Sequence, residues 1–164
     1  MRRTNSKTDT SIASSVIHIR RVKKSDLPAL QSLYDQLHLK TYLSLRVPPA
    51  KFEFAFNRIA RSRNHAILVA EIAGRIVGTC HLIIVPPLGH ALKPFAVVEN
   101  VVVDAKTRSS GIGPRLMEAA TEIARHHRCY KMALTTNVAR LRAHRFYERL
   151  GWKRTHFGYS LALE

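Results

Sequence analysis

The chain has 164 residues, of which 46% are hydrophobic, so its length and composition predict one domain with a substantial core. Its formal charge of +16 comes from 27 Lys and Arg against 11 Asp and Glu, and predicts attraction to phosphate-bearing ligands, nucleic acid or anionic lipid. No apolar run reaches the roughly 18 residues that a membrane-spanning helix needs, so the sequence predicts no membrane span.

The first fifteen residues are rich in Ser and Thr and lack the apolar segment of a secretory signal. They are predicted to form a disordered extension, with residues 16–164 forming a single domain. Cys80 and Cys129 lie on separate predicted elements, which favours two free thiols and a cytoplasmic location.

Hydrophobic periodicity predicts two helices and three strands in the first half of the domain. Ser25 and Asp26 are predicted to cap the first helix, with Pro28 in its first turn. Two strands around Ala73-Gly74 have the pattern of a hairpin. The predicted elements are a strand over 16–22, a helix carrying Leu27 to Leu37, a helix over 50–61, and the hairpin strands 66–72 and 75–85.

The second half alternates strands and helices. A buried strand runs through Val101–Val103, and the helix after Gly113 carries an apolar stripe. A strand over 132–136 and a helix over 138–150 follow, and Gly151 is predicted to end that helix. Residues 157–163 alternate weakly and are predicted to close the chain as an edge strand.

A glycine-rich turn between the buried strand and the next helix is the strongest functional signal. Gly111 and Gly113 open the helix, whose first backbone N–H groups have no internal partner and can bind an anion. Arg108 precedes them closely enough to close over the same anion. The chain has no Walker A string and no G-x-G-x-x-G fingerprint. The turn therefore predicts a phosphate-bearing ligand of another kind.

The turn has the sequence Arg108-Ser109-Ser110-Gly111-Ile112-Gly113. It matches a six-residue motif that has Arg or Gln at its first position, Gly at its fourth, and Gly or Ala at its sixth. It resembles the pyrophosphate loop of the GCN5-related N-acetyltransferase (GNAT) family. The strand Val98–Asp104 resembles the central strand of that family, and the string A-H-R-F-Y-E-R-L-G-W resembles its closing segment. The resemblance is clear over about residues 96–164. Part of the tail also resembles the aminoalkylphosphonate N-acetyltransferase branch.

The resemblance implies an α/β fold with a GNAT-like mixed, V-shaped central β-sheet and helices on both faces. It implies an enzyme that moves acetyl from acetyl-CoA directly to a primary amine of a small molecule in a ternary complex. In the family the central strand bulges, and a backbone N–H, here that of Val101, polarises the thioester carbonyl. The implied acetyl-CoA contacts are Val101, Val103, Arg108, Ser109, Ser110, Gly111, Ile112, Gly113 and Asn137.

Glu99 and Tyr147 are the candidate catalytic residues. Glu99 lies among valines, where burial would raise its pKa toward that of a useful general base; the alternative is a structural salt bridge. The resemblance places Tyr147 near the coenzyme A sulfur as the general acid. Its alternative is a core position, because Ala143, Phe146, Tyr147 and Leu150 have the spacing of a buried helical stripe. For Asn137 the alternative is an ordinary turn at the end of a strand.

The remaining candidates are weaker. Residues 34–46 and 85–94 would line the acceptor site, and His81 and His90 are predicted to be structural or solvated rather than catalytic. No spacing predicts a metal site. The chain departs from the family loop at Ser109, where glycine is common, and at Pro114, which suits a first helical turn.

The partners follow from the same reasoning. A small-molecule amine is the expected acceptor, no membrane partner is expected, and a homodimer stays open. A non-catalytic basic module that binds nucleic acid or another polyanion is the alternative function, because it would explain the charge of +16. It would leave the turn at Arg108–Gly113 unexplained.

Overall fold

The computed structural model describes residues 16–37 and 47–163. The predicted extension over residues 1–15, and the larger part of the predicted acceptor segment 34–46, lie outside the described residues. The helices and strands are β1 His18–Arg21, α1 Leu27–Asp35, α2 Pro49–Ala60, β2 His65–Ile72, β3 Arg75–Val85, β4 Phe95–Val103, α3 Ile112–His126, β5 Met132–Ala133 and α4 Leu141–Arg149.

The five strands form one mixed sheet in the order β1-β2-β3-β4-β5. The first four pair antiparallel, and β4 pairs with β5 in parallel. The predicted hairpin is confirmed: β2 and β3 meet at a two-residue turn, where Ala73 and Gly74 both have positive φ, at 49° and 76°. Such a turn matches the twist of the strands that it joins. Within the described residues, no helix is long and apolar enough to cross a membrane.

Alternation along the strands gives the sheet two apolar faces. On one face Cys80, Leu82 and Ile84 of β3 pack with Leu116 and Ala120 of α3. On the other face, residues of β2 pack with α1 and α2, through Ile67, Val69, Leu27, Leu30 and Phe52. Helices therefore cover both faces, as the resemblance implied. Both cysteines are free thiols, with Cys80 buried.

The sheet opens at its last pair of strands. The parallel pairing of β4 and β5 covers two residue pairs, Ala96 with Met132 and Val97 with Ala133. Beyond Val97, β4 continues to Val103 without a described strand beside it on that edge. This divergence makes the V shape of the sheet, and it leaves a gap that α1 and α4 border.

Three predictions about the C-terminal elements are wrong. The strand over 132–136 has only two residues, and α4 begins at Leu141 rather than at 138. Residues 157–163 form no strand, and Phe157, Tyr159, Leu161 and Leu163 are all more than 80% exposed. Alternation of apolar and polar residues shows only which side chains would share a face of a strand. A strand also needs a neighbour to pair with, and β5 is too short to supply one.

The predicted cap of α1 is also wrong. Asp26 precedes the helix, but its side chain accepts no hydrogen bond from it. The carboxylate instead accepts hydrogen bonds from Arg20 Nη1 at 2.6 Å and from the Lys23 backbone N–H at 2.7 Å. The guanidinium of Arg20 lowers the pKa of this buried carboxyl group. A buried charge is stable only when it is paired, so the ion pair takes precedence over the cap.

Candidate active site

A β-bulge interrupts β4 next to the gap. In the register with β3, His81 is opposite Glu99 and Thr79 is opposite Val102. One residue on β3, Cys80, therefore faces two residues on β4, Asn100 and Val101. Asn100 has a φ of +52°, the left-handed region that asparagine tolerates better than most residues. The central strand thus has the bulge that the resemblance implied.

The bulge changes the direction in which the backbone N–H groups of β4 point. The Ala96 N–H donates to the Lys131 carbonyl, toward β5, whereas the Asp104 N–H donates to the Val77 carbonyl, toward β3. Successive peptides of a strand point to opposite sides. Counting back from Asp104, the N–H groups of Val103 and Val101 point toward the gap. Without the extra residue, the Val101 N–H would point toward β3.

The turn that precedes α3 lies at the end of β4. Ser109 and Gly111 have φ values of +68° and +77°, which bend the chain so that α3 begins at Ile112. The N–H groups of Ile112 and Gly113 belong to the first helical turn and have no intrahelical acceptor, and Pro114 has no N–H. Arg108 is exposed, and its Nε donates to the Val103 carbonyl at 3.3 Å. Backbone donors without intrahelical acceptors and an exposed cation in this arrangement suit a pyrophosphate.

Glycine at position 113 is favoured by packing rather than by backbone conformation. A β-carbon at this position would lie 3.0 Å from two ring carbons of Phe146 on α4. Without a side chain at Gly113, α4 comes close to the first turn of α3. This contact fixes α4 next to the predicted anion site.

Tyr147 is both a packed residue and a site residue. Its ring lies 5.0 Å from that of Phe146 and 6.1 Å from that of Trp152, centroid to centroid, and it packs on the face covered by α3. Burial raises the pKa of its phenol to about 12; the Glu99 carboxylate also raises it, and the Arg140 guanidinium lowers it. The hydroxyl therefore stays protonated at neutral pH and lies within electrostatic range of Glu99.

Glu99 lies on β4 directly before the bulge. It is half-buried, and its cross-strand neighbour is His81. Among the ion pairs of the described residues, none includes Glu99. Glu99 therefore forms no structural salt bridge with another described residue, which was the alternative to a role as general base.

Asn137 takes part in the turn before α4. Its Oδ1 accepts the Ala139 N–H at 2.9 Å, and its carbonyl accepts the Arg140 N–H, also at 2.9 Å. This is the strand-end turn that the sequence left open as an alternative. The hydrogen bonds hold residues 137–140 out of the helix, which explains why α4 begins late. The amide nitrogen of Asn137 takes no part in these bonds.

The C-terminal end of α1 closes the other side of the gap. Gln36 Oε1 accepts the Ala105 N–H at 3.0 Å, which ties this end to the segment after β4. Arg140 Nη2 donates to the Leu37 carbonyl, which ties it to the start of α4. The guanidinium of Arg140 thus lies between α1 and Tyr147, and it forms no ion pair with a described carboxylate.

Sequence reasoning captured this region only in part. The bulge follows from the resemblance, since the residues themselves carry no signal for it other than Asn100. For Arg140 the sequence favours solvent exposure, with contact to a phosphate as the alternative. A hydrogen-bonded pair formed by His65 and His81 was not foreseen, because it depends on strand register. Among residues 16–37 and 47–163, no group of three or more potential ligands could hold a metal ion.

A split sheet with a bulged central strand, a helix start opened by glycines and a protonated tyrosine on α4 are features that the resemblance to acetyltransferases implied. The chain belongs to the GNAT family: the family model described as "Acetyltransferase (GNAT) family" matches residues 27–152. With its named relatives, this makes the protein an acetyl-CoA-dependent N-acetyltransferase.

Two curated relatives are N-acetyltransferases. The chain is 32% identical to a glucosamine 6-phosphate N-acetyltransferase of Trypanosoma brucei brucei, over 84% of this chain and 89% of the relative. It is 37% identical to an aminoalkylphosphonate N-acetyltransferase of Salmonella typhimurium, over 55% of this chain and 58% of the relative. A solved structure named as a transcriptional regulator of Bacillus halodurans superimposes with a TM-score of 0.83 at 29% identity, covering 90% of this chain and all of that one.

Proposed function

We propose that the protein transfers acetyl from acetyl-CoA directly to the primary amine of a small molecule that also bears a phosphate or phosphonate. The observation that supports this proposal is the gap beside β4: the bulge turns the Val101 N–H toward it, two residues after Glu99, and Glu99 lies within electrostatic range of Tyr147. Attack of an amine on a thioester needs a donor for the developing oxyanion, a base for the ammonium and an acid for the departing thiolate. These three groups are of the required types.

Acetyl-CoA would occupy the gap with its pyrophosphate at the turn Arg108–Gly113. We assign the pyrophosphate contacts to Arg108, to the turn residues Ser109, Ser110 and Gly111, and to the N–H groups of Ile112 and Gly113. Val101 and Val103 would donate hydrogen bonds from β4, and Asn137 would contact the pantetheine arm through its amide nitrogen.

Transfer is proposed to be direct, through a ternary complex, rather than through an acetyl-cysteine. Cys80 is fully buried, and burial raises the pKa of its thiol to about 12. Burial also raises the pKa of the Cys129 thiol. A cysteine nucleophile reacts as its thiolate, so both environments disfavour a covalent intermediate.

An anionic group on the acceptor is suggested by the two curated relatives, whose names give a sugar phosphate and a phosphonate as acceptors. Arg140 is the cation that we assign to this group. Its guanidinium borders the gap beside Tyr147, and one of its N–H groups is engaged by the Leu37 carbonyl. Its remaining donors suit the paired oxygens of a phosphate.

Matched amines test the substrate class. We expect release of coenzyme A thiol to be at least tenfold faster, in kcat/KM, with glucosamine 6-phosphate than with glucosamine, and with 2-aminoethylphosphonate than with 2-aminoethanol. Arg140→Gln should raise KM for the phosphorylated amine and leave KM for its neutral counterpart within twofold. Equal loss with both amines would show that Arg140 supports the fold or the coenzyme instead of the acceptor anion.

The alternative of a non-catalytic polyanion-binding module is supported by the charge of +16 and by the name of the Bacillus halodurans structure. The two functions differ in their ligands. Acetyl-CoA at micromolar concentration should raise Tm for the acetyltransferase, because a ligand that binds only the folded state stabilises it. Stabilisation by duplex DNA with no response to acetyl-CoA would favour the module.

The role of Glu99 can be separated from a structural role by pH. An ammonium has no free electron pair, so a base matters most at low pH, where the neutral amine is scarce. We expect Glu99→Gln to lose about tenfold in kcat/KM at pH 7 and to recover as the pH approaches the pKa of the amine. The matched control is Glu118→Gln, an exposed carboxylate on α3. A loss of equal size at every pH would contradict the role as base.

A further inference from the structure

A histidine pair lies behind Glu99, on the face of the sheet that α1 and α2 cover. His65 Nδ1 and His81 Nε2 are 2.9 Å apart, and their ring centroids are separated by 5.1 Å. His81 is buried, with 7% of its surface exposed, whereas His65 is only half-buried. The pair therefore forms a hydrogen-bonded link between the interior of the protein and its edge.

Each end of this link meets a different environment. At the inner end, His81 is the cross-strand partner of Glu99, and such partners have β-carbons about 5 Å apart. At the outer end, His65 lines a surface cavity of about 120 Å³. The other residues that line the cavity are Arg21, Val22, Phe56, Ile59, Ala60 and Ile67.

Acetylation of an ammonium must release a proton. The ammonium nitrogen carries three hydrogens: one stays on the amide, one ends on the thiol sulfur of coenzyme A, and one leaves the site. The C–S bond of the thioester breaks as the C–N bond of the amide forms. If the gap beside β4 is filled by both substrates, the departing proton needs a route that does not pass through them.

We propose that His65 and His81 relay this proton from Glu99 to water in the surface cavity. The inference rests on the proposed function, because it assumes that Glu99 receives the proton. Through one bridging water, the Glu99 carboxyl protonates His81 at Nδ1 while the Nε2 hydrogen of His81 passes to Nδ1 of His65. His65 then releases its own Nε2 hydrogen to water. Each ring gains one proton and loses one, so the pair carries no net charge after transfer.

The surroundings of His81 favour relay over storage of a proton. Burial and, to a smaller extent, the neighbouring His65 lower the pKa of His81 to about 4. The ring is therefore neutral at physiological pH, and both its nitrogens can exchange a hydrogen. Besides the two histidines, the ionisable groups near the pair are Glu99 from β4 and Arg21 from β1, and Tyr34 of α1 packs on the same face of the sheet. From α2, only apolar side chains line the cavity.

Kinetics of two glutamine variants test the relay. Glutamine keeps a hydrogen-bonding side chain but cannot accept a proton at one atom and release one from another. We expect His81→Gln and His65→Gln each to lower kcat about threefold at pH 7, a smaller loss than the roughly tenfold expected when the base itself is removed, because water can still remove the proton slowly. Added imidazole should restore part of the rate, and the loss should shrink at high pH. His18→Gln, an exposed histidine on β1, is the control.

A second measurement needs no acceptor amine, so the relay can fail separately from the proposed function. In ¹⁵N-labelled protein, Glu99→Gln should shift the ring-nitrogen signals of His81, and His81→Gln should shift those of His65, with His18 unmoved. Unchanged His81 signals in Glu99→Gln would overturn the relay, as would wild-type kcat in folded His81→Gln. Absence of thiol release with every amine would overturn the proposed function, whatever the spectra show.

Discussion

Tyr147→Phe should lower kcat about ten- to a thousand-fold, which covers the lower part of the general acid–base range and the decade below it. The substitution keeps the aromatic ring and its contacts with Phe146 and Trp152, and removes the hydroxyl that would protonate the departing thiolate. The pKa of about 12 keeps that hydroxyl protonated across any practical assay range. Titration of Tyr147 should therefore not appear in the pH profile below about pH 10.

Burst kinetics and unfolding curves together check this expectation. The chemical step should slow in Tyr147→Phe while KM for acetyl-CoA and the urea midpoint stay close to the wild type. Tyr159→Phe is the control, because Tyr159 is 96% exposed. If Tyr147→Phe retained full activity, Tyr147 would have a packing role in the buried stripe of α4 and no role as general acid.

Gly111→Val should weaken acetyl-CoA binding about tenfold to a hundredfold. Gly111 has a φ of +77°, which a β-branched residue adopts only at a cost of about 1–2 kcal/mol. Apart from its chain neighbours, no heavy atom of the described residues lies within 4 Å of the place where its β-carbon would be, so a new side chain would project into space that a phosphate could occupy. Relaxation of the turn would also move the N–H groups of Ile112 and Gly113.

Gly74 supplies a matched control for this prediction. It has a φ of +76° and equally open surroundings, but it lies in the hairpin turn between β2 and β3. Gly74→Val and Gly111→Val should therefore lower Tm to a similar extent, while isothermal titration shows weaker acetyl-CoA binding only in Gly111→Val. Equal affinities for acetyl-CoA in the two variants would contradict the assignment of the pyrophosphate site to the turn before α3.

The parts of the fold that depend on local chemistry could be predicted from the sequence. The start of α3 follows from glycines and Pro114, and the hairpin follows from Ala73-Gly74 between two apolar runs. The edge strand over 157–163 could not be predicted reliably, because its formation depends on a partner far away in the chain. The late start of α4 arises because residues 137–140 form the hydrogen-bonded turn at Asn137 instead of a first helical turn. Hydrophobic periodicity does not show which of the two structures forms.

The site shows the same division between local and register-dependent features. An undisturbed two-residue hairpin would place His65 and His81 on opposite faces of the sheet. The register shifts by one residue between β2 and β3, at Ala70 and Glu71, so that Ile67 faces His81 and both histidines share a face. A shift of one residue exchanges the faces of every following side chain. Neither this shift nor the bulge at Asn100 leaves a distinctive pattern in the sequence.

The contact between Gly113 and Phe146 has a consequence for how sequences of this kind can vary. A β-carbon at 113 is tolerated only if the ring at 146 withdraws by a few tenths of an ångström or becomes smaller. The two positions should therefore be epistatic, with Gly113→Ala more harmful alone than with Phe146→Leu. In an alignment of homologues, a larger residue at one position should accompany a smaller residue at the other, although 33 residues separate them.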